Sequence, residues 1–362
     1  MALFDESIQL PLSSLHTFNH KKQPGKTDTI HYKVLLIVNY VILLVGSVSS
    51  SLLSKFYFVH GGSSRWVATW VQCAGFPLLI PAVYLPYYAF NSTERRPFAG
   101  FSLRIFSLSV VIGLMLGVNN LLISWGTSYL PVSTCSLVLA SQLVFILFLS
   151  AIIVRQKITF ANLNCVVLLT LAAVLLALDS SSDKPAGLTK AKYFVGFFCT
   201  VGAALLFALY LPLVEKLYRN VDCYAMVVEM QVVMEAAATV LATVGMAIDG
   251  GFSGMKKESQ GGFDLGSKAY AMTVGLNVLT WQLCFMGTAG MVFLTTSVTS
   301  GICSTALMAF NVVGGVLAYG DHMGGSKAVS TVLCVWGFSS YVYGMYLKTK
   351  KVTKEVPPAI GA

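Results

Sequence analysis

Apolar residues run in long blocks along this chain, at about 33–58, 66–91, 103–125, 131–154, 160–179, 193–219, 222–249, 267–292, 294–320 and 325–348. At 1.5 Å rise per residue, each block is long enough for a helix to cross a hydrocarbon layer of about 30 Å. Helices are the form required there, because lipid offers a loop or a strand edge no hydrogen-bond partners. The pattern therefore predicts an all-α membrane protein of ten transmembrane helices. An even count puts both termini on one side.

Composition agrees with that reading. Of 362 residues 56% are hydrophobic and only 11% charged, whereas a soluble domain carries roughly a quarter charged residues because its surface faces water. The formal charge of +9 raises nucleic acid as a partner, but the basic residues form no stripe. Most of the 24 lie in the tails and connections of the terminal side: Lys21, Lys22, Lys26, Lys33, Arg95, Arg96, Arg104, Arg155, Lys157, Lys216, Arg219, Lys348, Lys350, Lys351 and Lys354. By the positive-inside rule the termini are cytoplasmic, and no nucleic-acid partner is expected. The sequon Asn91-Ser92-Thr93 falls on the same side, where it would go unused. No hydrophobic signal core occurs in the first 30 residues, so no cleaved leader is expected. The eight cysteines stand singly, without CxxC spacing, and read as small packing residues.

An echo links the halves: Gly126-Thr127 and Leu130-Pro131-Val132-Ser133-Thr134 against Gly287-Thr288 and Leu294-Thr295-Thr296-Ser297. It pairs segment four with segment nine. Five helices per half is odd, so the halves would be inverted repeats, the drug/metabolite transporter arrangement. The expected organisation is a cytoplasmic tail over 1–32, a first repeat over 33–179, an extracytoplasmic loop over 180–192, a second repeat over 193–348 and a cytoplasmic tail over 349–362. The stretch 250–266, rich in Gly, Ser and Lys, reads as a second solvated, mobile loop.

Polar groups inside these blocks are the candidate chemistry, since each is costly unless it meets a partner within the bundle. Ser47 to Ser51, Ser133, Ser136 and Thr299 can bond their own backbone and are read as packing. Amides demand more. Asn119, Asn120, Gln142, Gln231, Asn277 and Gln282 come from four helices of both halves, which suggests a polar cavity near the midplane. Glu229 and Glu235 are the acids clearly within a block, while Glu215 and Asp222 sit at helix ends. A buried carboxylate can load and unload a proton, the step a proton-coupled carrier needs, although it can equally be a protonated acid bonded to a neighbouring helix. Glu235 shares a helix face with Gln231.

Trp66 and Trp70 share a face, Trp281 stands one turn after Asn277, and Tyr210 with Pro212 interrupts segment six. Trp66, Trp336, Tyr341 and Tyr343 read as interfacial anchors. Trp281 is too deep for that, and an indole beside amides suits a planar nitrogen heterocycle. Walker, GxSxG and HExxH motifs and clustered Cys/His ligands do not occur in the sequence, so neither an enzyme nor a cofactor is expected.

Several stretches resemble the plant purine permease family of the drug/metabolite transporter superfamily. They are Gly61-Gly62-Ser63-Ser64-Arg65-Trp66-Val67-Ala68-Thr69-Trp70-Val71-Gln72, Tyr129-Leu130-Pro131-Val132-Ser133-Thr134 with Ala140-Ser141-Gln142-Leu143, Leu211-Pro212-Leu213-Val214-Glu215, Val228-Glu229-Met230-Gln231, Trp281-Gln282 and Trp336-Gly337-Phe338-Ser339-Ser340-Tyr341. The resemblance spans about Tyr32 to Lys348. It implies proton-coupled uptake of purines, cytokinins or related aromatic amines, with alkaloid uptake (nicotine or benzylisoquinoline type) as the alternative. It puts Trp70, Asn119, Asn120, Gln142, Glu229, Gln231, Trp281 and Gln282 in or near the path. Two departures stand out: Asn119-Asn120 where the family has Asp-Asn, and Ala309-Phe310-Asn311-Val312 followed by Gly314-Gly315 where it has a proline turn.

The expectation is thus a symporter, most simply in the plasma membrane, with a small heteroaromatic amine, protons and the bilayer as its partners. Trp70, Asn119, Asn120, Gln142, Tyr210, Gln231, Trp281 and Gln282 would bind substrate. Glu229 or Glu235 would carry the proton, Glu229 being the first choice. A non-transporting receptor for the same ligands is the rival class.

Overall fold

The computed structural model describes residues 26–89, 95–156, 160–179, 188–221, 223–321 and 323–355. The sequon at 91–93, Asp222, and parts of both tails and of the 180–192 loop lie outside the described residues. Helices carry the fold in the order α1 (Lys26–Val59), α2 (Arg65–Cys73), α3 (Leu79–Tyr88), α4 (Leu103–Tyr129), α5 (Val132–Ala140), α6 (Gln142–Ile153) and α7 (Phe160–Asp179). Then follow α8 (Lys190–Tyr218), α9 (Tyr224–Ile248), α10 (Gly251–Lys257), α11 (Gly266–Leu294), α12 (Ser297–Tyr319) and α13 (Gly325–Glu355). No strand occurs among the described residues. Among the described residues, eight stretches are long and apolar enough to cross a membrane: His31–Val59, Arg65–Tyr88, Leu103–Tyr129, Val132–Ile153, Lys190–Tyr218, Tyr224–Ile248, Gly266–Leu294 and Ser297–Tyr319. Helices α7 and α13 lie against each other, joined where Asn164 donates to the Ser340 hydroxyl and Ser330 to the Ala172 carbonyl.

Local chemistry explains the helix ends. Ser64, Ser102, Thr189 and Thr296 cap α2, α4, α8 and α12, each hydroxyl accepting from the backbone N–H three residues on. Two predicted blocks are broken. The second turns through a tight 3-10 segment at Phe76–Leu78, where Pro77 withholds a donor. The fourth is interrupted at Ser141, between α5 and α6. Pro212, expected to interrupt segment six, does not: α8 runs unbroken through it, with Tyr210 buried beside it.

Cross-helix hydrogen bonds fix direction. Tyr32, early in α1, donates to the Leu294 carbonyl at the end of α11, while Ser54, late in α1, meets Asn277 and Trp281 in the first half of α11. The two helices are therefore antiparallel. They approach closely because both present glycine at the seam: a β-carbon on Gly46 would strike the Cys284 backbone, and one on Gly287 would stand 2.5 Å from the Leu43 amide. One end of the bundle, here the terminal face, carries the start of α1 and the end of α8. The opposite face carries the end of α1 and the start of α5.

The 250–266 stretch is not the loose loop its composition predicts. It folds as α10 and a wide turn, Glu258–Gly262, over the opposite face. Buried Glu258 anchors it, accepting from the hydroxyls of Tyr57 (2.8 Å) and Tyr270 (3.1 Å) and from the Ser63 amide and hydroxyl, both 2.9 Å. A carboxylate with that many donors is fixed, whatever glycines surround it.

Candidate functional site

Between α1, α4, α5, α6, α8, α11 and α12 lies a cavity of about 90 Å³, by a measure in which one water needs roughly 10–15 Å³. It has room for a small ring system. Its wall divides by chemistry. Ser47, Ser50, Ser51 and Ser54 from α1 form a hydroxyl stripe at helical spacing, facing Asn119, Asn120 and Gln142. Trp281, Phe285 and Phe207 supply flat apolar surface. Among the described residues, none with a charged side chain lines it.

Several of these polar groups have spare capacity. Asn119 Oδ1, Gln142 Nε2 and Ser304 Oγ are buried without a hydrogen-bond partner in the protein, a state that costs about 1–3 kcal/mol per group unless water or a solute answers it. Acceptor and donor are both represented, the minimum for gripping the edge of a heterocycle. Trp281 is held in place: its indole N–H donates to Ser54 Oγ (3.1 Å), whose own proton points to Asn277 Oδ1 (3.4 Å), and its ring lies 5.4 Å from that of Phe285. The Ser–Asn pair fixes the indole edge and leaves a face for the cavity. Cys284, Cys135 and Thr288 complete the lining, where the sequence offers only small residues.

Four residues singled out from the sequence thus meet at the cavity: Asn119, Asn120, Gln142 and Trp281. Gln231, Gln282 and Glu235 form a second cluster one layer behind it. Glu235 Oε1 accepts from Gln231 Nε2 (3.3 Å) and Gln282 Nε2 (3.2 Å), and Asn120 reaches toward this layer by donating to Cys73 Sγ (3.1 Å). Glu235 is fully buried and its Oε2 has no partner; Gln231 Oε1 and Gln282 Oε1 are unpartnered too. Neither Trp70 nor Tyr210 lines the cavity. Tyr210 stacks on Phe207, rings 5.8 Å apart, and its hydroxyl meets Gln231 of the second cluster.

Glu229 sits elsewhere, at the start of α9 near the terminal face. Arg95 grips it with both guanidinium nitrogens at 2.8 Å, and the Phe98 amide donates to the same carboxylate at 3.0 Å. Arg95 is half of a forked, charge-assisted pair, and the hydrogen bond to Glu229 holds its guanidinium still more firmly protonated than usual. Glu229 is thus tied up at the terminal face and does not line the cavity, whereas Glu235 lies in the amide cluster beside it. Arg95→Gln is expected to leave the acid buried and unpaired, at a cost of about 3–5 kcal/mol. Adding Glu229→Gln should restore most of the lost thermal stability in detergent; a double variant no more stable than the single one would refute the pairing.

Two further expectations are qualified. Tyr341 is no interfacial anchor but is buried and bonded to Thr299 (3.1 Å), and Trp66 packs edge-on against Gly245 of α9. Trp336 and Tyr343 stand exposed on α13. Asn277, one of the amides the sequence marks, orients Trp281 through Ser54; Ser54 could have been found only by pairing residues on helices α1 and α11, and nothing local announces that pairing. Among the described residues, no three His, Cys, Asp or Glu side chains gather to hold a metal ion.

Apolar helices of membrane length, packed around a cavity whose described lining carries amides and hydroxyls but no charged side chain, define an integral membrane protein. The profile of the family described as purine nucleobase transmembrane transport matches residues 34–351, and the chain belongs to this purine permease family, whose members are membrane transporters rather than enzymes. Among its relatives, "Probable purine permease 4" of Arabidopsis thaliana is 66% identical over 299 residues, 82% of this chain and 78% of that one. "Purine permease 3" of the same plant is 35% identical over 319 residues, 86% and 91% of the two chains. A crystal structure of another protein superposes with a TM-score of 0.57 at 15% identity, covering 86% of this chain and 98% of its own. At that identity the likeness is one of fold.

Proposed function

We propose that this chain is a proton-coupled uptake carrier for neutral purine-type heterocycles, nucleobases and cytokinins among them. The observation that carries the reading is the lining: unsatisfied amide and hydroxyl groups beside a fixed indole, with no charged side chain among the described residues. Such a wall suits a flat ring with donors and acceptors along its edge. It does not suit an ion, because a buried charge without a counter-charge is heavily penalised. Purine bases are neutral near pH 7, whereas the amines of most alkaloids are protonated. The absence of a lining carboxylate therefore favours purines over alkaloids, and it accords with the departure of Asn119 from the family's acidic residue.

In this reading Glu235 takes the proton. It lies midway along α9 and accepts a hydrogen bond from Gln282, the residue next to the cavity-lining Trp281. Protonation would remove a buried charge and let the helices around the cavity shift. The ten helical segments would form two inverted five-helix repeats, with both termini in the cytoplasm and the chain in the plasma membrane. The distribution of basic residues supports that orientation.

Counterflow tests the reading. In proteoliposomes holding unlabelled adenine, external labelled adenine should accumulate transiently, and competitors should rank by the fraction of each that is uncharged at the assay pH. A receptor that binds without transporting would give no counterflow.

A further inference from the structure

The two helices that pair in the sequence echo, α5 and α12, are gripped in the same way at opposite faces of the molecule. At the opposite face, a single carboxylate oxygen of Asp321 accepts from both the Ser133 amide (3.0 Å) and the Ser133 hydroxyl (2.8 Å). At the terminal face, a single oxygen of Glu215 accepts from both the Ser297 amide (2.8 Å) and the Ser297 hydroxyl (2.5 Å). Ser133 and Ser297 occupy matching places in the echo, each in the first turn of its helix. Both helices line the cavity, α5 through Val132, Cys135, Ser136 and Leu139, and α12 through Ser304 and Met308.

We propose that Asp321 and Glu215 are the gating carboxylates of transport, each closing one mouth of the cavity by holding the first turn of α5 or α12. The assignment rests on the carrier reading above. Each grip is suited to release as well as to hold. A carboxylate at a helix N-terminus is favoured by the helix dipole and by two charge-assisted hydrogen bonds. Once the mouth opens, water can serve both the serine and the acid, and hydrated pairs of this kind are worth little. Strong when closed and cheaply replaced when open, the contact is a latch.

The surroundings bring further helices to each latch. Glu215 also binds Arg219 (2.9 Å), and Arg219 holds the Val154 carbonyl at the end of α6, while Ser150 of α6 bonds Ser297. That gathers α6, α8 and α12 at the terminal face. At the opposite face Lys55 of α1 donates to the Thr127 and Leu130 carbonyls, just before α5 begins. Two glycines place Asp321. Gly320 takes a left-handed conformation, φ 64°, that turns the chain back at the end of α12, and a β-carbon on Gly315 would come within 2.7 Å of the Asp321 carboxylate and 3.2 Å of the Ser133 amide.

Native Cys135, two residues beyond Ser133, and Cys284 lie in the cavity wall and report which mouth is open. A membrane-impermeant maleimide is applied to intact cells and to inside-out vesicles, and alkylation of each cysteine is read by peptide mass spectrometry. Asp321→Asn should raise labelling of Cys135 and Cys284 from the opposite face by about tenfold and lower it from the terminal face. Glu215→Gln should do the reverse, and Gly315→Ala should imitate Asp321→Asn. Ser133→Thr, which keeps both donors, should label as wild type does. If either acid variant fails to fold, Ser133→Ala and Ser297→Ala report the same two latches. Shifts of the same sign at both faces, or none, would overturn the assignment. Loss of wild-type adenine counterflow would instead strike the carrier reading and leaves the labelling result free to stand or fall alone.

Discussion

Replacing Glu235 by glutamine is expected to abolish accumulation of adenine driven by an imposed proton gradient, a loss of at least about a hundredfold, while counterflow stays within about threefold of wild type. The two effects separate because glutamine keeps the size of the side chain and an oxygen that can accept from Gln231 and Gln282. Only the exchangeable proton is removed. A neutral amide in that position mimics the protonated carrier, which can exchange substrate across the membrane but cannot couple exchange to a gradient. Glu229→Gln is the control. Its acid is tied to Arg95 and to the Phe98 amide, so the variant should lose stability and yield yet keep gradient dependence in the molecules that fold. Gradient-driven uptake surviving in Glu235→Gln, or vanishing in folded Glu229→Gln, would reverse the assignment.

The second large effect concerns Trp281. Base–aromatic stacking is worth about 1–3 kcal/mol by alanine substitution, so Trp281→Ala should raise KM for adenine by roughly 5- to 150-fold. A phenyl ring keeps part of the surface, and Trp281→Phe should fall between the two. Ser54→Ala removes the acceptor of the indole N–H but not the ring, and it should raise KM by less, about threefold to tenfold. Because these groups act on bound substrate, the change should appear in KM and leave kcat nearly unmoved. A Trp281→Ala carrier with unchanged KM would place the ring elsewhere.

Which parts of this arrangement could be read from the sequence follows from how local each cause is. Membrane helices are legible because lipid imposes one length and one composition on every span, and the helices lie close to the apolar blocks. Asn119, Asn120, Gln142 and Trp281 are legible as a set because a polar or flat group deep in such a block has few other uses. Distinguishing Glu229 from Glu235 is not possible there. Both are acids in one helix, and what separates them is Arg95, 134 residues away in sequence, a contact that no spacing rule along α9 contains. The cap built on Glu258 escapes for the same reason. Its glycines and lysines announce a loop, while its order comes from Tyr57 and Ser63, about 200 residues earlier. The breaks in the second and fourth blocks fall between: Pro77 gives a local warning, but nothing about Ser141 does. Tyr341 and Trp66 show the limit of reasoning from residue type, since an amphipathic ring serves equally at an interface and in a helix seam.

In the proposed carrier a neutral heterocycle fills the cavity between α1, α4, α5, α6, α8, α11 and α12. An experimental structure of the carrier with adenine tests it most directly. One adenine should lie flat against the face of Trp281, its edge within hydrogen-bond distance of Asn119 or Gln142 and the Ser54–Trp281 contact intact. Adenine bound outside this lining, or a cavity that stays empty at saturating adenine, would contradict it.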